Sequence, residues 1–412
     1  MNVNDLQGKT VGFAASGGLD SCTITQWLTE NGVNVVCLSA DMAQPDDPDF
    51  EAIQKRMMAC GAKDFVQIPL RDAIAEEGLE TIQAQAYYEA RYWNTTAIGR
   101  HVIVRGMVPE LQKRGIDILS HGATGRGNDQ VRFQLITNML GPEIQVYAPW
   151  RDALFLQKFG GRTEMIDYCT ERNLPIKASK DAPYSTDANL LGLTHEAGKL
   201  ESLQTPAGFV TPEMGVLPKD APDQPEKFTV HFSVGRPVEI YGNPVDVFQA
   251  MSLANQIGGR NGVGIGVHLV ENRFVGVKSR GVYEAPGMEL LGQCYSFLLE
   301  LVLDRRAREL FDELGHYIAK QYYQGYGYDL GSQMAREAIR KTADLATGTI
   351  TVHVYKGTVE FLSAENVPQI LYSEENASME AIGAFDHQDS EGFLNVLSVS
   401  ARSLAQAGQV KK

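Results

Sequence analysis

Between residues 10 and 148 short apolar runs alternate with stretches whose apolar residues recur at helical spacing. The runs at 10–14, 33–39, 64–69, 116–121 and 144–148 read as strands, and 21–30, 50–60, 72–86 and 101–114 read as the helices between them. This β/α alternation predicts a mostly parallel sheet with helices on both faces. In such a sheet, ligands gather beyond the carboxyl ends of the strands. A different texture begins near residue 180. Pro206, Pro212, Pro218, Pro222 and Pro225 interrupt the next segment. Strands at 228–232 and 237–241, a helix at 245–257, a long helical run at 289–323 and a hairpin at 349–361 then predict an α+β unit. In the last stretch, 390–407, Phe393, Leu397, Ser400, Ala401 and Leu404 share one helical face. Asp389 or Ser390 is placed to cap it. The expected fold class is therefore α/β: a parallel-sheet domain over 1–180, an α+β domain over 181–375 and a C-terminal helical arm over 376–412. No internal repeat or low-complexity tract changes this picture.

Composition sets limits on function. The chain has 412 residues, 43% of them hydrophobic and 21% charged, enough for two domains with a sizeable core. No run is long and apolar enough to predict a membrane span, and the polar segment 1–10 lacks the apolar stretch of a secretory signal. The formal net charge of −14 opposes nonspecific binding to nucleic acid or anionic membrane. The five cysteines are scattered, with no Cys-x-x-Cys pair, so no metal site and no disulfide framework is expected. A reducing cytoplasm fits this pattern.

Candidate chemistry starts at Ala15-Ser16-Gly17-Gly18-Leu19-Asp20-Ser21, between the first strand and the first helix. Two glycines let backbone approach a phosphate closely. Ser16 and Ser21 add hydroxyls, and the helix start supplies free N–H groups. The spacing matches neither the Walker A motif nor the dinucleotide fingerprint. A second cluster, 122–132, puts Thr124, Asn128, Asp129 and Arg132 among three glycines. This mixture suits a zwitterion, with Asp129 for an ammonium and the others for carboxylates. The same residues also fit a charged loop that solvates itself. A third cluster, 184–197, taken alone reads as two turns and a helix cap. A fourth, 271–287, taken alone reads as surface charge.

In this order the segments resemble the argininosuccinate synthase family. SGGLDS (16–21) resembles the phosphate loop of the N-type ATP pyrophosphatases. NTT (94–96), HGATGRGNDQVRF (121–133), APWR (148–151), YSTDANLLG (184–192), THEAGKLE (194–201), GGRNGVG (258–264) and ENRFVGVKSRGVYEAPG (271–287) carry the rest. Their form is nearer to the bacterial branch of the family. The resemblance implies an ATP-pyrophosphatase domain followed by a synthetase and oligomerisation domain. It also implies ATP-dependent joining of citrulline to aspartate through citrullyl-AMP, with Mg²⁺ on the ATP, and a homotetramer held in part by the C-terminal arms. A paralogue acting on another ureido, amide or carboxylate compound is the alternative.

Carried over by motif, Ala14, Ala15, Ser16, Gly17, Gly18, Leu19, Asp20, Ser21 and Cys22 would hold ATP, with Ala40, Gly122 and Thr124. Thr124, Asn128 and Asp129 would hold aspartate. Citrulline would contact Tyr92, Thr96, Asn128, Arg132, Ser185, Asp187, Thr194, Glu196, Glu271 and Tyr283. Asp20, Asp129, Arg132 and Asp187 would stand at the reacting centre. Three positions depart from the family pattern. Cys22 replaces a usual Ser and reads either as a reactive thiol at a helix start or as packing behind the loop. Gly266 stands where an Arg is frequent. His268 replaces a usual Asp and reads either as a buried structural substitute or as a contact to an altered substrate.

Overall fold

The structure is a computed structural model and describes residues 1–45, 49–176, 183–380, 383 and 386–410. The expected boundary between residues 180 and 181 lies outside them. In chain order the first half runs β1 (Thr10–Ala14), α1 (Leu19–Glu30), β2 (Asn34–Asp41), α2 (Phe50–Ala59), β3 (Asp64–Pro69), α3 (Arg71–Gln83), α4 (Thr95–Lys113), β4 (Ile118–His121), α5 (Asp129–Leu140), β5 (Gln145–Tyr147), α6 (Ala153–Lys158) and α7 (Arg162–Glu171). The five strands form one parallel sheet in the order β3-β2-β1-β4-β5. Its carboxyl edge carries the turn after β1 and the loop after β4.

The three central strands, β2, β1 and β4, are buried on both faces, as parallel strands between helices must be. Val11 and Phe13 of β1 point into a core shared with α1, α6 and α7. Phe13 is fully buried, which contributes about 1.5–3 kcal/mol. Gly12 faces the other way, where a Cβ would lie 2.2 Å from Leu111 Cδ2 of α4. A side chain at that position would push α4 off the sheet.

The second half runs β6 (Ser185–Asn189), β7 (Gly192–Glu196), β8 (Glu226–Ser233), β9 (Arg236–Ile240), β10 (Asn243–Pro244), α8 (Val247–Arg260), β11 (Ile265–Asn272), β12 (Lys278–Glu284), α9 (Pro286–Val302), α10 (Arg305–Gln324), α11 (Leu330–Ala343), β13 (Gly348–Tyr355), β14 (Thr358–Glu365), α12 (Glu374–Ala377) and α13 (His387–Gln406). Two antiparallel sheets result, β10-β9-β8-β13-β14 and β11-β12-β7-β6. The first packs on α8 and α9, and its core is continuous with the α3–α4 face of the parallel sheet.

Several expectations change. The run 289–323 is two helices, because Leu303 is extended and Asp304 restarts the chain, its carboxylate accepting from Ala307 N at 2.7 Å. The helix expected at 101–114 begins earlier, at Thr95. Residues 129–140 and 330–343 are helices that the polar composition concealed. The cluster 184–197 is a hairpin rather than two turns and a cap, and 265–284 is a second hairpin. Ser, Asp and Asn are poor strand formers; these segments are strands because β7 pairs with β12. The last helix is capped by Asp386, which accepts from Gln388 N at 2.9 Å, and not by Asp389 or Ser390.

Candidate active site

The turn after β1 is held in shape before any ligand arrives. Ser16 N donates to Ser21 Oγ at 3.0 Å, and Arg56 Nη1 donates to Gly17 O at 2.6 Å. Gly17 adopts φ +78°, a left-handed conformation that other residues resist. Gly18 is the N-cap of α1 and offers no side-chain cap, so the first N–H groups of the helix stay open to an anion. Gly122, after β4, comes so close to α1 that a Cβ there would lie 3.3 Å from Asp20 Cβ. This approach brings the two loops together. Asp20 accepts from Trp150 Nε1 at 3.1 Å, and burial pushes its carboxyl above the usual range.

Beside this turn opens a cleft of ≈ 1190 Å³. One wall is the face of the β11-β12-β7-β6 sheet. Strand register decides which side chains reach it. Tyr283, Thr194 and Asp187 form one cross-strand row, and Gly281, Glu196 and Ser185 form the next. Residues two apart on a strand share a face, so both rows look into the cleft. On β11, Val267, Leu269 and Glu271 pair with Tyr283, Gly281 and Ser279, which puts Glu271 on the same face. His268 pairs with Val282 and therefore faces the other way. It is half-buried rather than buried and does not line the cleft.

The opposite wall comes from α4 and α5. Thr96 Oγ1 and Thr194 Oγ1 lie 2.9 Å apart, and Thr96 N donates to Tyr92 Oη at 3.0 Å. Tyr92 stacks on Tyr283 with ring centres 4.2 Å apart. Arg132 Nη1 donates to Asp129 Oδ1 at 2.7 Å, and its Nε donates to Tyr323 O at 2.9 Å. Arg100 reaches both Asp129 Oδ2, at 3.0 Å, and Asp187 Oδ2, at 2.5 Å. Burial works against the Asp129 charge, but two guanidiniums outweigh it and hold this carboxyl low. Asp187 pairs directly with Arg100 and feels Arg132 more weakly, so burial and then the Asp129 charge leave it raised. Glu196 is raised to about 7, first by burial and then by Asp129 and Asp187.

Asp129, Arg132, Asp187 and all the residues expected around citrulline line this one cleft, as do Thr124 and Asn128. Of the residues expected around ATP, Asp20, Gly122 and Thr124 line it; the remaining ones of the turn, and Ala40 at the end of β2, do not. Asn128 already accepts from Phe274 N through Oδ1 at 3.0 Å, which leaves its NH₂ group for a ligand. Cys22 is fully buried in the core behind the turn, which favours packing over reactivity. Gly266 sits at φ +74° at a bulge in β11, a conformation that an Arg side chain would strain. Arg100 and Tyr323 escaped the sequence reading. Arg100 lies four residues after Thr96, hence on the same helix face, and that spacing was a usable signal. Tyr323 gave none, since it arrives from α10, far along the chain.

A parallel sheet with a glycine turn at its carboxyl edge, joined to an antiparallel unit that walls the cleft, defines a HUP-type nucleotide domain with an appended substrate domain. The family described as "Arginosuccinate synthase N-terminal HUP domain" matches residues 10–175, and "Arginosuccinate synthase C-terminal domain" matches residues 184–404. Argininosuccinate synthase of Rhodopirellula baltica is 39% identical over 396 residues, 96% of this chain and 97% of that protein. Its counterpart from Thermotoga maritima is 39% identical over 97% of this chain and 99% of its own, and that of Danio rerio is 36% identical over 95% of each. The chain belongs to the argininosuccinate synthase family.

Proposed function

We propose that this protein joins citrulline to aspartate with ATP, releasing AMP and pyrophosphate by way of citrullyl-AMP. The observation that carries this reading is the shared face of the cleft. Residues from NTT, NDQVR, STD, THE and the 271–283 hairpin, scattered from 92 to 283, turn their side chains into one space. ATP enters as its Mg²⁺ complex. Its pyrophosphate portion lies on the N–H groups of Ser16, Gly17, Gly18 and Leu19, with Ser16 and Ser21 hydroxyls and Asp20 beside them. Ala14, Ala15 and Cys22 back this turn, and Ala40 and Gly122 border the adenosine. The turn after β1 and the amino-acid wall are adjacent, so the α-phosphate faces the ureido oxygen.

Citrulline lies along the sheet face between Glu271, Tyr283, Ser185 and Thr194, with Thr96, Tyr92 and Arg132 on the helical side. Aspartate lies near Thr124 and Asn128, its ammonium drawn to Asp129. The ureido oxygen attacks the α-phosphate and pyrophosphate leaves; the aspartate amine then displaces AMP. No nucleophile of the protein enters either step, so catalysis rests on positioning and on charge placed against the phosphates. The departures at Cys22, Gly266 and His268 all lie off the cleft lining, which supports citrulline over an altered substrate. Among the described residues no helix is long and apolar enough to cross a membrane. Action in the cytoplasm fits the five unpaired cysteines. The boundaries 1–180, 181–375 and 376–412 remain part of this reading, as does a homotetramer.

Pyrophosphate release tests it, with citrulline and aspartate omitted in turn. Release should require ATP and citrulline, and AMP should accumulate in step with aspartate consumption. Turnover with another ureido compound in place of citrulline would overturn the reading.

A further inference from the structure

The ligation step needs a base. Aspartate enters with an ammonium, which has no lone pair to attack carbon, and Asp129, the carboxylate expected beside it, is committed to two arginines. We propose that Glu196 takes the proton from the aspartate ammonium and so makes the nucleophile. This rests on the function proposed above, and goes beyond the citrulline contact that the family resemblance gives Glu196.

Six carboxylates line the cleft. Asp20 accepts from Trp150 Nε1 and Glu201 is exposed on the turn after β7; of the four on α5 and the sheet, three are occupied. Asp129 is held by Arg100 and Arg132, Asp187 by Arg100, and Glu271 accepts from Ser279 Oγ at 2.9 Å. The Glu196 side chain makes no hydrogen bond or ion pair among the described residues. Its position at the end of β7 puts it in the row of Ser185 and Gly281, and the Tyr283 ring lies over Gly281, where a Cβ would come 2.5 Å from Tyr283 Oη. The residue is exposed, and its side chain borders the cleft. Asp129 of α5 and Asp187 of β6 face it from one side, and Glu271 of β11, Arg273 and Tyr283 of β12 from the others. Desolvation first, and then three negative neighbours against one cation, favour a proton on this carboxyl and raise it to about 7. A base matched to the working pH transfers protons most effectively.

The step balances as follows. One ammonium proton passes to the Glu196 carboxylate. The freed lone pair forms the C–N bond to the amidinium carbon of citrullyl-AMP. The C–O bond breaks, its electron pair leaving on the AMP oxygen. The second proton shed by that nitrogen goes to the departing phosphate, and the product keeps its guanidinium charge.

Glu196→Gln and Glu196→Asp separate this role from binding. Citrulline-dependent exchange of labelled pyrophosphate into ATP, without aspartate, reads the first half-reaction and checks that the variants fold. Because Glu196 also borders citrulline, exchange is expected to fall by up to about tenfold in both, the span of a lost contact, and the role is read from the loss of release beyond that. Aspartate-dependent AMP release at pH 7 should fall by about 100-fold or more in Glu196→Gln, the usual size of a lost general base, and recover in part in Glu196→Asp. In the parent, this release should decline as pH drops through about 7, and the decline should vanish in Glu196→Gln. Parallel loss of exchange and release, or an unchanged pH profile, would overturn the proposal. Absence of exchange in the parent would instead overturn the function on which it rests.

Discussion

The two sides of the site are built by different means. The phosphate side is backbone: one turn, 15–18, a helix start without a side-chain cap and two serines that brace it. The amino-acid side is side chains, drawn from α4, α5, β6, β7, β11 and β12 and bound together by charge. A phosphate spreads its charge over several oxygens, and converging N–H groups satisfy it from one short segment. Citrulline and aspartate carry charges of both signs at fixed separations, so each needs opposite charges placed in space. A single segment cannot supply that. It takes a sheet face in register and two arginines set against carboxylates.

The largest expected effect breaks the second side and spares the first. Arg100→Met leaves Asp129 with Arg132 alone and Asp187 with no ion pair among the described residues. Breaking a largely buried network in this way costs about 3–5 kcal/mol, which denaturant unfolding would read. ATP affinity, measured by calorimetry on the folded variant, should change by less than about twofold, a fraction of the 1.4 kcal/mol that a tenfold change requires. A matching loss of ATP affinity would show that the two sides are not separable. Adding Asp187→Asn to Arg100→Met should restore part of the stability, because it removes one of the two stranded charges.

Gly17→Val tests the backbone side. It forces φ +78° on a β-branched residue and puts a Cβ 3.0 Å from Ile53 and 3.1 Å from Arg56 Nη1. Strain of about 1–3 kcal/mol corresponds to a loss of ATP affinity of roughly ten- to a hundredfold if the turn yields. Unchanged affinity in calorimetry would remove this turn from the ATP site.

A smaller effect separates function from stability within the amino-acid side. Burial leaves the Asp187 carboxyl raised in the folded protein even with Arg100 beside it. A raised carboxyl means that its ionised form opposes folding at pH values above its unfolded range, and that this cost disappears as the group protonates in acid. Asp187→Asn should therefore slow catalysis yet melt no lower than the parent at pH 7. The difference in melting temperature should close below about pH 4, where the carboxyl of the unfolded chain also gains its proton. A variant that melts several degrees lower at pH 7 would mean that the attraction of Arg100 outweighs burial.

The same contrast governs what the sequence discloses. The phosphate turn is contiguous, so SGGLDS between a strand and a helix is readable as it stands, and the five parallel strands follow from apolar runs alone. The amino-acid wall is not contiguous. Ser185, Asp187 and Glu196 are polar residues of low strand propensity, and the pairing of β6 with β7 and of β7 with β12 makes strands of them. Family motifs gathered these residues, but the alternation that turns Glu271 inward and His268 outward is a fact of register. Arg100 shows the limit most clearly. Inside a helix, an arginine reads as solvent-facing until the partners on α5 and β6 are in place.

The smallest expected effect on the chemistry comes from α13, which belongs to neither side. None of its residues is buried, and Phe393, Val396 and Leu397 are 64%, 73% and 52% exposed. Apolar side chains in such a row gain nothing in water and stabilise only what covers them. A 20-residue helix with no buried residue is also marginal by itself. We propose that a second copy of the chain covers this face, as the homotetramer reading requires. Among the described residues, deletion from 386 onward removes none that lines the cleft and none of the buried core, so subunit stability should change by about 0.5 kcal/mol or less. First-half pyrophosphate exchange should persist. Sedimentation should show the particle shifting from tetramer to smaller species, and a truncated protein that stays tetrameric would reject the arm while leaving both sides of the site as described.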